Sequence, residues 1–147
     1  MTTLDNEKTL KLNDIYAEVF KLENPKISIK NNRDEEIKEF IKTTINGDSI
    51  NTHLAINAYL KPKILGVILY ILTSVRLIKI EIDKEDGISS TSFFLNTITS
   101  IDRKMINKDT FSIDIVFQTT SLGLRYDINN KKITDFFQTI EQSKAKI

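Results

Sequence analysis

Few residues in this 147-residue chain are equipped for chemistry, and that scarcity is the first constraint on what it does. There is one histidine, His53, and no cysteine, so nucleophile–base pairs built on either type have almost nothing to draw on. His53 stands in "NTHLAINAYL", where Leu54, Ile56, Ala58 and Leu60 recur at every second position. In a strand of period two, that places the imidazole on the opposite, solvent side. The densest carboxylate cluster, Glu81, Asp83, Glu85 and Asp86 in "EIDKEDG", lacks the ligand spacing of a calcium loop and reads as a solvated turn. Four scattered glycines make no phosphate-cradling loop. The expectation is a protein that is not an enzyme and holds no cofactor or metal.

Three cations stand out as anion contacts. Lys61 and Lys63 flank Pro62 in "KPKILG", and Arg76 interrupts the most apolar stretch of the chain, "LYILTSVRLIKIEID". An arginine there has two readings. Its stem lies on a sheet while the guanidinium pins a turn, pairs with an acid or reaches carbonyls; or it meets an external anion. The balance of charge excludes a third use. With a formal net charge of +1, and 8 Lys/Arg against 9 Asp/Glu in residues 1–46, neither half is basic enough to neutralise nucleic-acid phosphates.

The elements that must position these residues follow from periodicity. Leu12, Ile15, Val19 and Leu22 recur three to four apart, as on one helix face, and Asn24-Pro25 ends that helix. A second helix runs from Asn32, with Asp34, Glu35 and Glu36 in its first turn and Gly47 as its left-handed stop. The short alternating run "KISIK", 26–30, is a candidate strand or edge cover. At Gly47 the period changes to two, which divides the chain into a helical extension, 1–46, and a strand-rich domain, 47–147. "VILYIL" and "VRLIKIEID" form a hairpin about Thr73-Ser74. "TSFFL", "ITSIDRKM" (apolar markers Ile98, Ile101 and Met105), "FSIDIVFQ" and "LRYDI" supply further strands, with "DKEDGISS" and "TTSLG" as turns. Asn129 or Asn130 then caps a helix whose stripe is Ile133, Phe136, Phe137 and Ile140. The sum is an α+β fold of about seven antiparallel strands closed by one amphipathic helix. The start "MTTLDNEKTLKL" lacks a signal-peptide pattern, and the longest uncharged apolar run, Ile64–Leu72, is about half of what a bilayer span needs, so the expected location is the cytoplasm.

Seven strands followed by a capping helix is similar to the pleckstrin-homology (PH) fold, and the residues resemble bacterial PH-like domains of the YokE-like family. Those domains carry a hairpin of the pattern G-V-L-x-L-T-x-x-R-L-I-x-I. Here Gly66-Val67 leads into "ILTSVRLIKI", with Thr73, Arg76, Leu77 and Ile78 at matching positions. Their I-x-S-I/V segment is met by "ITSIDRK", and the helix before their first strand by "EEIKEFIKTTINGD". The resemblance spans 34–145, departs between Asp83 and Phe94, and finds no counterpart for residues 1–30. It implies a PH-like barrel with an N-terminal helical extension, acting as a non-enzymatic binding module on a protein partner or on itself. Its alternative is an anionic membrane surface met by Lys61 and Lys63, although "GVILYIL" lacks the cations that lipid-binding PH domains place on the second strand.

Overall fold

A computed structural model describes residues 3–22, 32–61, 64–83, 87–127 and 129–145, with two compact units, 1–92 and 93–147. Its elements run α1 (Thr3–Leu22), α2 (Asn32–Ile45), β1 (Ile50–Lys61), β2 (Ile64–Thr73), β3 (Arg76–Asp83) and β4 (Gly87–Phe94). A single 3-10 turn, Leu95–Thr97, leads to β5 (Ile98–Met105), β6 (Thr110–Phe117), β7 (Ser121–Asp127) and α3 (Lys131–Ala145). The strands form a four-stranded sheet, β1-β2-β3-β4, and a three-stranded sheet, β5-β6-β7. The α+β architecture and the seven strands expected from the periodicity are thus present. "KISIK" and Lys63 lie outside the described residues.

In the first unit both faces of the sheet are apolar. One face carries rows across β1, β2 and β3, Ala55–Leu69–Ile80 and Asn57–Val67–Ile82 among them. Leu12, Ile15 and Val19 of α1 and Ile37, Ile41 and Ile45 of α2 share one buried cluster with these strand residues. The helical stripe therefore packs on the sheet, as its spacing requires. The other face carries Leu54, Tyr70, Leu72 and Leu77, all buried as well. A strand buried on both sides loses clean alternation. That is why Leu54 and Ala55 are both buried, and why the simple inward–outward reading of β1 fails.

Two local expectations are corrected. The helix α2 ends on a left-handed residue, but it is Asn46 (φ 55), not Gly47. Asparagine tolerates that conformation better than other side-chain-bearing residues, and Asp48 N–H then closes on Ile45 O at 3.2 Å. The β2–β3 turn is Ser74-Val75 rather than Thr73-Ser74, because Thr73 remains in β2 and its hydroxyl builds the turn.

In the second unit, Asn130 is the cap of α3, its Oδ1 accepting from Ile133 N–H at 3.2 Å. The helix stripe is buried, with Phe136 at 2%, Phe137 at 3% and Ile140 at 1% exposure. The Phe137 ring stacks on Tyr126 of β7 (centroids 6.1 Å) and meets Phe136 edge-on (5.5 Å). Ile113, Ile115 and Phe117 of β6 are buried as their alternation requires, whereas Met105 is 62% exposed and is no core residue. Strand β7 starts at Ser121, earlier than "LRYDI" suggests, and β4 at Gly87, inside the expected turn.

Truncating either phenylalanine removes a buried ring and leaves a cavity. Phe136→Ala and Phe137→Ala should each cost about 3–5 kcal/mol in a denaturant melt. Near-wild-type midpoints for both would show that α3 does not close this unit.

Candidate interaction surface

The interrupted apolar strand resolves first. Thr73, fully buried, accepts from Val75 N–H (3.2 Å) and Arg76 N–H (3.0 Å) and donates to Arg76 O (3.1 Å), so one hydroxyl fixes the turn. By alternation Arg76 shares the helix-covered face of β3 with Ile78, Ile80 and Ile82. Its guanidinium ends that apolar row at the carboxyl end of α2. Nη2 donates to Thr44 O (2.7 Å) and Ile45 O (3.3 Å), Nε to Asp48 Oδ2 (2.7 Å), and Nη1 to Ser92 Oγ (2.9 Å). The last carbonyls of a helix have no partner within it and carry partial negative charge, so a cation there is doubly favoured. Arg76 is a structural hub in this arrangement.

His53 is not on a solvent side. A register shift between Ile50 and Thr52 puts Ile50 and His53 on the same, helix-covered face. Its Nδ1 lies 3.0 Å from Glu18 Oε1 of α1. With Glu18 ionised, its oxygen only accepts and this contact requires the ring proton on Nδ1. Burial pulls the imidazole below its ordinary pKa, against the opposing pull of the Asp14 carboxylate. Beside it, Lys11 Nζ donates to Ile50 O at 2.7 Å, so α1 is stitched to β1 by polar contacts as well as apolar ones. The helices meet each other through Lys38, whose ammonium lies 5.8 Å from the Tyr16 and Phe20 ring centres. On the opposite sheet face, burial and the Glu81 carboxylate push the Tyr70 phenol up to about 12.

The other sequence candidates do not converge. Lys61 closes β1 at the end paired with Ile64, whereas Arg76 sits at the β2–β3 turn beside Ile50, the other end of the strand. The eleven steps of this twelve-residue strand, at about 3.3 Å each, separate those ends by roughly 35 Å along the chain. The Lys61 side chain lies outside the described residues, as do Glu85 and Asp86. Of the acidic cluster, Glu81 pairs with Lys79 at 3.1 Å, and Asp83 is buried.

A surface that the sequence did not single out lies on the second sheet. From Asp102 to Met105 the edge strand β5 is exposed on both faces, and the exposed Met105 is followed by Ile106 (40% exposed) at the tip of the β5–β6 hairpin. The tip is a built turn. Asn107 Oδ1 accepts from Asp109 N–H and Thr110 N–H, each at 2.9 Å, and Ile106 N–H donates to Thr110 O at 2.9 Å. Arg103, Lys104 and Lys108 surround it, all exposed. The available signal was two apolar residues immediately before an Asn-Lys-Asp turn; the strand's alternation absorbed Met105 into the core instead.

No protein-family model matches the sequence, and a search of curated proteins returns no match. Solved structures do match. A DUF1696-family protein with a pleckstrin-homology domain from Shewanella loihica PV-4 aligns over 75% of this chain and 95% of its own, at 13% identity and a TM-score of 0.51. The fold is pleckstrin-homology-like. A pleckstrin homology domain from Shewanella amazonensis SB2B aligns over 75% of this chain and 86% of its own, at 13% identity and a TM-score of 0.48. A chain of the complex of human RhoA with the DH/PH fragment of PDZRhoGEF aligns over 95% of this chain and 40% of its own, at 13% identity and 0.50. Likeness at this identity establishes the PH-like architecture and nothing about ligands.

Two measurements check the polar junctions. Arg76→Ala strands the Asp48 carboxylate and two helix carbonyls and should cost about 2–4 kcal/mol, with Arg76→Lys recovering only part, since an ammonium cannot span acceptors on three segments. A loss under about 0.5 kcal/mol would refute the hub. For His53, the folded chain binds fewer protons than the unfolded one near its transition. The neutral ring's contribution is therefore complete above the unfolded value of about 6.5 and is lost as pH falls through that value toward the lower folded one. An NMR titration of this sole imidazole should give a midpoint below about 6.5; a midpoint above it contradicts the burial argument.

Proposed function

We propose that this chain is a non-enzymatic PH-like binding module that works in the cytoplasm by contact with protein, through the β5 edge and the β5–β6 hairpin. Residues 47–147 would form the module and 1–46 its helical extension, and the YokE-like bacterial PH domains are the group it fits. The observation that carries the reading is the Met105–Ile106 tip, two consecutive exposed apolar residues beside a hydrogen-bonded turn and flanked by charges of both signs. Adjacent large apolar residues held in water on a structured turn are the mark of a contact surface more than of a solvated loop. The engagement of Arg76 by α2, Asp48 and Ser92 also favours this reading over anion capture at that residue. One neighbour of the fold was solved as a protein complex, which agrees with it.

The test is capture from the cells that make the protein, using immobilised full chain and a Met105→Asp/Ile106→Asp variant of equal thermal stability. A specific protein retained by the wild type and reduced about tenfold or more by the variant supports the proposal. Equal retention by both overturns it. Vesicles containing anionic lipid provide the competing arm. Salt-sensitive pelleting that is abolished by Lys61→Ala/Lys63→Ala would move the function to the membrane surface.

A further inference from the structure

The β5 edge carries a pattern of charge that selects its own partner. Asp102 of β5 stands directly opposite Asp114 of β6, so two carboxylates share one exposed position of the sheet. Like charges facing each other across strands are unfavourable. The cations on that face, Lys104 and Arg125, are one step along, both opposite Ser112. Asp102 Oδ2 accepts from Ser100 Oγ at 3.4 Å, and among the described residues no ion pair meets the acid row at its outer end, where β5 is the sheet edge.

The backbone direction is fixed by one bond. Ile106 N–H donates to Thr110 O, and hydrogen-bonded pairs alternate along antiparallel strands. Residues 102 and 104 therefore bond inward to β6, and residues 101, 103 and 105 present N–H and C=O outward. We infer that this edge pairs with the β5 edge of a second copy of the chain, antiparallel and centred on Arg103; the inference rests on the proposal that β5 is a contact surface.

A two-fold axis normal to the sheet keeps the same face up in both copies, so only residues of one face can oppose each other. Centred on Asp102, the register sets carboxylate against carboxylate; centred on Lys104, ammonium against ammonium. Centred on Arg103, Asp102 of each copy opposes Lys104 of the other on the outer face, twice over. On the inner face Ile101 opposes Met105, covering the side chain that is 62% exposed in the single chain. Asp102 and Lys104 then occupy non-hydrogen-bonded positions, where side chains approach most closely. Arg103 meets its own copy at the axis, a repulsion that two long, exposed side chains relieve by turning to water.

The chain lacks cysteine, so a single introduced thiol reports the register. In the Arg103-centred pair, the two copies of residue 103 lie about 5.5 Å apart at Cα, within the range a disulfide spans. Arg103→Cys should oxidise to a covalent dimer of twice 16.9 kDa, while Ser121→Cys on the opposite edge should not. In sedimentation, Asp102→Lys and Lys104→Asp should each weaken the dimer about tenfold or more, and mixing the two variants should restore it, because their charges are complementary across the axis. A wild type that stays at 16.9 kDa throughout the micromolar range, equal cross-linking at Ser121→Cys, or a mixture that fails to recover the dimer overturns the inference. If the wild type is monomeric and the Met105→Asp/Ile106→Asp variant still loses a captured protein, this inference fails while the binding module stands.

Discussion

One guanidinium holds the first unit in register. Arg76 touches the end of α2, the Asp48 linker and β4 from its own position on β3, so four segments meet at a single planar group. The demand for it is created by the fold. Packing α2 against a sheet face that is mostly isoleucine, leucine and valine brings the helix's carboxyl end, with carbonyls that have no partner within the helix, to the apolar row. Water or a cation must meet those carbonyls, and the guanidinium supplies the donors while its stem continues the packing. The turn residue Thr73 belongs to the same solution, because its hydroxyl sets where β3 begins and hence which residue ends the row.

That junction also explains how the helix-covered face of the first sheet tolerates burial. A sheet covered by helices must pair or cap every polar group it hides. The row ends do this: Arg76 at the turn, Lys11 on Ile50 O, and His53 on Glu18. Each joins a helix to a strand distant in sequence, 32 to 39 residues apart for Arg76–Thr44, His53–Glu18 and Lys11–Ile50. The helices α1 and α2 are therefore built into this sheet's core rather than hung upon it.

Legibility in the sequence follows the range of the forces involved. The helices, the change of period near Gly47, the β6 alternation and the buried Phe136–Phe137 stripe are local patterns, and each was readable. The Arg76 reading reached carbonyls as one option because an arginine in an apolar strand has few other uses, but nothing local names α2 as their source. His53 stands opposite Leu54 and Ile56, as period two requires, but that opposite face is covered by α1 instead of facing water, and nothing local to β1 marks the cover. The left-handed stop fell on Asn46 rather than the neighbouring glycine because both residues satisfy the same rule.

The β5 edge shows where period-two reasoning loses its meaning. Alternation assigns a side chain to a face, but burial requires something lying over that face, and a strand can outrun its cover. Ile98 is buried, Ile101 half-buried and Met105 exposed, so the core thins steadily toward the hairpin. Beyond that margin Asp102, Arg103 and Lys104 take over, and charge on an edge strand usually serves to repel further strands. Repulsion is indiscriminate only when the charges are of one sign. An acid and a base two residues apart on one face reject most registers of an approaching strand and match one. A mixed-sign edge therefore protects against random pairing while remaining open to a partner with the complementary order, and an antiparallel copy of the same strand has that order by symmetry.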